Sequence, residues 1–129
     1  MKQVYLAGQS NEHAENSKEK FKSLGGFKFI DPEVDSDQSS PRTFFPDDLR
    51  HIDNSDILVA NSGIAPSEAM WTEVGYFYAR KTKPGEICNN LIIIWKDERN
   101  PKWSKPFIDM MGHVVLSVDE AMTILKQLA

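Results

Sequence analysis

The sequence predicts an α/β fold in which helices cover both faces of a doubly wound, five-stranded parallel sheet with the strand order 2-1-3-4-5. Short apolar runs alternate with segments of helical length along the 129 residues, and right-handed crossovers between parallel strands place helices on both faces. The most apolar run, residues 91–95, does not alternate between apolar and polar residues, which is typical of a parallel strand buried on both faces. The length predicts a single domain over residues 1–129.

The first elements are predicted to form a β-α-β unit. Residues 4–7 are a short apolar run that ends at Gly8, and a charged helix follows up to Leu24. Two glycines end that helix, and residues 27–30 alternate as a second strand that an Asp-Pro pair ends.

A long loop is expected next, because residues 31–45 are acidic, rich in serine and interrupted by prolines, with no helical or strand period. Loops of this length in compact domains are commonly lids, so we expect this one to close over a ligand. Arg42, Phe44 and Phe45 are the side chains expected to touch that ligand. Pro46 fits the first position of the following helix.

Strands and helices continue to alternate in the second half of the sequence. The predicted elements are a strand over 57–60, a helix opened by Pro66 and ending near Lys81, a strand over 91–95, a helical turn through Met110, a strand over 113–116 and a helix over 121–128. Ligands of such sheets bind outside the carboxyl ends of the strands, near the switch between strands 1 and 3. We therefore expect the functional site at that edge.

Composition and charge exclude several classes of partner. Lys plus Arg is 15 and Asp plus Glu is 19, so the formal charge of -4 does not favour binding to a nucleic-acid polymer. The longest apolar run has five residues, whereas a membrane span needs about 20. No signal-peptide pattern occurs at the N-terminus, which predicts a cytoplasmic protein. Cys88, the single cysteine, excludes an internal disulfide and a zinc site of several thiolates.

No cofactor and no metal are predicted. The loop after the first strand contains no dinucleotide-binding, Walker or flavin phosphate-binding motif, and the three histidines have no shared spacing typical of metal ligands. Gly8, Gln9 and Ser10 nevertheless bring backbone N–H groups to the start of a helix, where a phosphate or a sugar hydroxyl could bind. We expect these three residues to contact a substrate.

Glu73 is a candidate catalytic residue because it lies on the predicted inward face of its helix, beside Met70, Val74 and Phe77. No Lys or Arg lies three or four residues away on that helix to neutralise it. Burial without a partner raises the pKa of a carboxyl group and is typical of functional sites. The alternative interpretation is that Glu73 lies at the edge of this face and reaches solvent.

Asp48 is the second candidate carboxylate, since the topology places it near the carboxyl ends of strands 1 and 3. Its alternative interpretation is purely local, because an acid in the first turn of a helix behind Pro46 is stabilised by the helix dipole. Asp53 and Asp56 fall at the amino end of strand 3, so we expect no catalytic role for them.

Three motifs occur in order at suitable spacing. They are Val4-Tyr5-Leu6-Ala7-Gly8, Asp48-Leu49-x-x-Ile52-x-x-x-Asp56 and Thr72-Glu73-Val74-Gly75-Tyr76. Together they resemble the nucleoside 2-deoxyribosyltransferases over about residues 4–94. The resemblance implies a flavodoxin-like fold and an activity that exchanges or hydrolyses the base of a 2-deoxyribonucleoside. It also implies that Glu73 is the nucleophile, that Asp48 handles the base and that Tyr5 orients the nucleophile.

Position 67 leaves two substrate classes open. The transferases carry an acid for the sugar hydroxyls six residues before the glutamate, and this chain has Ser67 there. Pro66-Ser67 resembles the related deoxynucleoside monophosphate N-glycosidases, in which a serine meets the phosphate. Those relatives have an arginine in the loop after the first strand, whereas Glu12 of this chain would repel a phosphate. Nucleoside and monophosphate substrates, and transfer to a base or to water, therefore stay open.

A nucleotide-binding protein of the same fold without catalytic activity is the remaining alternative. A receiver-like signalling domain is excluded locally, because Gly8-Gln9 replaces the acidic pair after strand 1 and Asn61-Ser62 replaces the aspartate after strand 3.

An oligomer is expected from the helix that carries Glu73. Its aromatic residues cannot all face one side of the helix, and aromatic rings on a surface helix are typical of an interface core. We therefore predict a homodimer or higher homo-oligomer in which the neighbouring subunit helps to close the site. The aromatic residues are Trp71, Tyr76, Phe77 and Tyr78.

Overall fold

The computed structural model has the predicted α/β architecture. It describes residues 1–8, 12–63, 67–96 and 104–129, with the backbone alone for residues 12–16. The sheet of this part of the chain has five parallel strands in the order β2-β1-β3-β4-β5. The strands are β1 (Lys2–Gly8), β2 (Phe27–Ile30), β3 (Ile57–Asn61), β4 (Leu91–Ile94) and β5 (His113–Val115). The helices are α1 (Glu12–Lys22), α2 (Pro32–Asp35), α3 (Pro41–Asp53), α4 (Glu68–Lys81), α5 (Ser104–Asp109) and α6 (Val118–Gln127).

Two apolar layers form the core, one on each face of the sheet. Alternation along β1 directs Val4 and Leu6 to the face covered by α1 and α6, and Tyr5 and Ala7 to the face covered by α3 and α4. The β4 strand is fully buried along its length, as its unbroken apolar sequence predicts. The orientation of Tyr5 matters for function, because it directs a phenol hydroxyl towards α4.

The prediction that Pro46 opens a helix is wrong, because α3 begins at Pro41. Pro41 follows Ser40, whose backbone N–H donates to the hydroxyl oxygen of Thr43 at 3.1 Å. Pro46 lies inside the helix and removes one of its backbone hydrogen bonds. Both prolines satisfy the rule for a first helical position, and the capping contact at Ser40 selects the earlier one.

The prediction of a structureless loop over residues 31–45 is also wrong. Asp31 caps the short helix α2 by accepting a hydrogen bond from the N–H of Glu33 at 3.1 Å. The connection between α2 and α3, residues 36–40, then packs against the side of α3. One of its contacts joins the N–H of Asp37 to Oδ2 of Asp47 at 2.9 Å. A helix of four residues is too short to produce a visible period, so the sequence pattern does not reveal it.

Smaller differences concern helix ends. Ser67 is the N-cap of α4 and accepts a hydrogen bond from the N–H of Met70 at 3.2 Å. Pro66, which was expected to open this helix, lies outside the described residues. The last helix starts at Val118, three residues earlier than predicted, directly after its N-cap Ser117. No helix within the described ranges is long and apolar enough to cross a bilayer.

The carboxyl ends of β1 and β3 approach each other closely at Gly8 and Asn61. Gly8 has a φ of 138°, and a Cβ atom added there would lie 2.6 Å from the carbonyl oxygen of Asn61. Only glycine fits this position, because both the backbone conformation and the space exclude a side chain.

We predict that Gly8→Ala lowers the free energy of unfolding by about 2 kcal/mol or more, since strain and a backbone clash act together. Gly25→Ala is the matched control, because a Cβ atom at Gly25 meets nothing within 4 Å. Urea unfolding of both variants measures the difference. An equally small loss in the two variants would contradict the close approach of β1 and β3.

Candidate active site

The phenol of Tyr5 and the carboxylate of Glu73 form the centre of the candidate site. Tyr5 is fully buried in β1, and its hydroxyl donates a short hydrogen bond to Oε2 of Glu73 on α4. Glu73 is partly buried beside the buried residues Met70 and Val74, as its place in the helical period predicts. The carboxylate does have a partner, and that partner comes from the sheet rather than from its own helix.

The protonation behaviour of this pair follows from burial and from neighbouring charges. Burial raises the pKa of Glu73 from 4.5 to about 7; the Tyr5 hydrogen bond opposes this shift, the charge of Asp48 adds to it, and Lys18 opposes it. Burial and the negative charge of Glu73 raise the pKa of Tyr5 far above its usual range. Tyr5 is therefore a neutral donor that holds Oε2 of Glu73, and the second carboxylate oxygen, Oε1, does not take part in this hydrogen bond.

Asp48 lies in the middle of α3, close enough to Tyr5 and Glu73 for its charge to raise both of their pKa values. Its Oδ1 accepts a hydrogen bond from the hydroxyl of Ser36 at 2.6 Å. Burial raises the pKa of Asp48 above its usual value, and the Ser36 contact opposes that shift. The helix-dipole interpretation of Asp48 fails, because α3 begins seven residues earlier and its first turn holds no acid.

A buried ion pair lies at the carboxyl end of β2. Lys18 of α1 and Asp31, each 5% exposed, meet with an Nζ–Oδ1 distance of 2.9 Å. Lys22 contacts the other carboxylate oxygen of Asp31 at 3.2 Å. Burial acts to raise the pKa of Asp31, but the Lys18 hydrogen bond and charge outweigh it and lower the pKa below its usual value. No sequence pattern predicts this pair, because a lysine in a charged helix and an aspartate before a proline carry no signal of contact.

The remaining predicted site residues are distributed around this centre. Gly8 lies at the carboxyl end of β1, and Ser67 is exposed at the start of α4. Gln9 and Ser10 lie outside the described residues. Arg42, Phe44 and Phe45 line a surface cleft of about 540 Å³ with Pro41 and Pro46, and the lining includes neither Glu73 nor Asp48.

The residues expected to have no catalytic role occupy structural positions. Oδ2 of Asp56 accepts a hydrogen bond from the N–H of Gln3 at 2.9 Å, at the amino end of the sheet. Asp53 pairs with Arg80 at 3.1 Å and accepts from the hydroxyl of Tyr76. Among the described residues, no group of His, Cys, Asp or Glu side chains is arranged to hold a metal ion.

The chemical capacity of the site lies in its two carboxyl groups with different surroundings. Glu73 meets a neutral phenol and the apolar residues of its own helix face, whereas Asp48 meets a serine hydroxyl and is less deeply buried. Two carboxyl groups that lie close to one site can share the roles of nucleophile and acid in cleavage of a glycosidic bond.

We predict that Glu73→Gln stabilises the folded protein at alkaline pH. Between pH 4.5 and about 7 the folded state keeps a proton on Glu73 that the unfolded chain releases, so the wild-type free energy of unfolding falls as pH rises through this window. Above it the wild type carries a buried charge that glutamine lacks. The expected gain of the variant is roughly 1–3 kcal/mol at alkaline pH and disappears towards acid pH.

Urea unfolding over a pH series measures this gain. Glu68→Gln, on the exposed first turn of the same helix, is the matched control and should show no such pH-dependent gain. A constant difference between wild type and Glu73→Gln at every pH would contradict the raised pKa of Glu73.

Comparisons with known proteins support the fold. No protein-family model and no curated protein matches the sequence. The structure is similar to that of a CMP N-glycosidase, BcmB, from Clostridium botulinum, with a TM-score of 0.66 and 19% sequence identity. The match covers 99% of this chain and 100% of that chain. The chain therefore has the flavodoxin-like fold of that protein along its length.

Proposed function

We propose that this protein cleaves the N-glycosidic bond of a nucleoside or nucleotide, with a 2-deoxyribonucleoside as the preferred class, through a covalent intermediate between the sugar and Glu73. The observation that carries the proposal is the hydrogen bond between Tyr5 and Glu73, with Asp48 close enough for its charge to act on both groups. The similarity to a CMP N-glycosidase supports the same class of bond.

Glu73 is the proposed nucleophile. Because Tyr5 occupies Oε2, Oε1 is the oxygen that attacks the anomeric carbon. The bond from that carbon to the base nitrogen breaks through an oxocarbenium-like transition state, and its electron pair goes to the base. The positive charge that develops on the sugar is stabilised by the carboxylate, which then bonds to it covalently.

Asp48 is the proposed acid and base. Its carboxyl proton passes to the departing base, which leaves neutral, and the resulting carboxylate deprotonates the acceptor that enters next. The acceptor attacks the anomeric carbon and releases Glu73 as a carboxylate. Two inversions at this carbon give overall retention of configuration.

The acceptor decides between two reaction classes. A second base as acceptor gives a transferase, and water gives a hydrolase; the balance depends on how well the closed site excludes water. A 2-deoxy sugar favours the reaction, because a 2-hydroxyl group withdraws electrons from the forming cation. The monophosphate is the second candidate substrate, supported by Ser67 and by the CMP N-glycosidase of the same fold.

Substrate binding is proposed for residues around the two carboxylates. Phe44 precedes Asp48 by four residues and shares its face of α3, which suits contact with the base. The full proposed set is Gly8, Gln9, Ser10, Arg42, Phe44, Phe45 and Ser67.

A homo-oligomer formed by one-domain subunits is also proposed. Trp71, Tyr76 and Tyr78 of α4 pack against the core of their own subunit but are only half-buried, so the exposed parts of these rings are the surface proposed for the interface.

The activity is tested by incubating the protein with each deoxynucleoside, each deoxynucleoside monophosphate and CMP, with and without an acceptor base. Chromatography of the products identifies released base, free sugar and exchanged nucleoside. Ligand binding without any base release would favour the non-catalytic alternative.

Glu73→Ala is expected to reduce base release by about 10³-fold or more while the protein stays folded, because the nucleophile is lost. With a slowly released substrate, mass spectrometry of the intact protein should show a sugar adduct on the wild type alone. Thr72→Ala, on the exposed face of the same turn, is the control. Full activity of Glu73→Ala, or an adduct on another residue, would contradict the assignment.

Asp48→Asn is expected to slow the reaction about 10²–10⁴-fold for bases that must be protonated to leave. Substrates with leaving groups that need no proton should be affected much less, because general acid catalysis contributes nothing to their departure. Steady-state rates with both kinds of substrate measure the contrast. Equal slowing for good and poor leaving groups would remove Asp48 from the role of acid.

A further inference from the structure

The hydroxyl of Ser36 lies against the carboxyl group of Asp48, twelve residues further along the chain. Ser36 Oγ donates to Asp48 Oδ1 at 2.6 Å, within the usual range for two oxygen atoms, and Ser36 is only 7% exposed. A buried serine hydroxyl that contacts a partly exposed carboxyl group is well placed to fix its orientation.

The backbone around Ser36 holds this hydroxyl in place. Ser36 ends α2, and its N–H donates to the carbonyl oxygen of Pro32 at 3.2 Å. The residues on either side of it also contact α3, so that three consecutive residues meet the same helix. These flanking contacts join Asp35 O to His51 Nε2 at 3.2 Å and Asp37 N to Asp47 Oδ2 at 2.9 Å.

The contact makes the two oxygen atoms of Asp48 unequal. Oδ1 already accepts a hydrogen bond from the Ser36 hydroxyl, so a proton on Oδ1 itself would compete with that contact. Oδ2 is the oxygen on which the carboxyl proton is compatible with the contact. A general acid must present its proton in a fixed direction to a leaving group, and the contact supplies that direction.

Several charged or titratable groups act on Asp48 from the elements around it. On α3 itself, Asp47 raises its pKa and His51 lowers it. Glu73 of α4 and Tyr5 of β1 face it across the site. Ser36 is the neutral hydrogen-bond donor in this group of neighbours, and it favours the carboxylate form.

We propose that Ser36 is a positioning residue for Asp48, whose hydroxyl fixes the carboxyl group through Oδ1 so that Oδ2 carries the proton given to the leaving base. The inference rests on the proposed function and deepens it. Through Ser36, the connection between α2 and α3, residues 36–40, would act directly on the proposed acid Asp48.

The test combines a titration that needs no substrate with a kinetic double-mutant cycle. The ¹³C NMR signal of the Asp48 carboxyl carbon, identified by its loss in Asp48→Asn, is followed over pH in the wild type and in Ser36→Ala. Removal of the donor should raise the Asp48 titration midpoint by about one pH unit. Base release by Ser36→Ala should fall about fivefold to tenfold, and Ser36→Thr, which keeps the hydroxyl, should recover most of it.

The cycle separates positioning from general support of the fold. Ser36→Ala should cause no further loss in the Asp48→Asn background, because it acts through Asp48. Ser39→Ala is the matched control, since Ser39 belongs to the same connection, is exposed and contacts Asp37 instead. It should leave both the titration and the rate unchanged.

Different results would overturn the role of Ser36 and the proposed function. Base release by the wild type with an Asp48 titration that Ser36→Ala does not move overturns the role of Ser36. The same holds for an equal shift in Ser39→Ala or for a full additional loss in the Asp48→Asn background. A shifted titration with no base release from any substrate overturns the proposed function instead.

Discussion

The hydrogen bond between Tyr5 of β1 and Glu73 of α4 joins two polar groups that lie beside the apolar layer between the sheet and that helix. Tyr5 lies in the buried centre of β1, so its ring packs as a core residue while its hydroxyl reaches α4. The carboxylate of Glu73 satisfies that hydroxyl, and the hydroxyl satisfies one oxygen of the carboxylate. Either group alone would be a poorly solvated polar atom, and together they form a site in which only one oxygen of Glu73 remains available.

Other parts of the fold maintain this arrangement from a distance. The close approach of Gly8 to Asn61 keeps the carboxyl ends of β1 and β3 together, three residues after Tyr5 on the same strand. The Lys18–Asp31 ion pair joins α1 to the end of β2 and places a buried cation near Glu73. The charge balance of the site is thus shared among several elements, with Asp48 and Lys18 acting on Glu73 in opposite directions.

Sequence reasoning was sufficient where a pattern repeats along one element. The sheet order follows from alternation and crossover rules, and the inward position of Glu73 follows from helical period alone. Contacts between different elements could not be predicted in this way. Tyr5 and Glu73 are 68 residues apart in the sequence. Ser36 and Asp48 are joined by a connection that has no periodic pattern. The start of α3 was misplaced because Pro41 and Pro46 obey the same positional rule, and only the backbone contact at Ser40 distinguishes them.

Pro46 has a further consequence for how the protein opens. Its missing N–H removes a hydrogen bond between the first turns of α3 and the rest of that helix, so these turns depend on contacts with residues 36–40 rather than on helical continuity. Together with α2 they form a unit whose exposed hydrogen bonds can exchange with solvent while the central strands β3 and β4, which are buried along their length, stay closed. Local unfolding of this unit would remove the Ser36 hydrogen bond from Asp48 and leave the contact between Tyr5 and Glu73 in place.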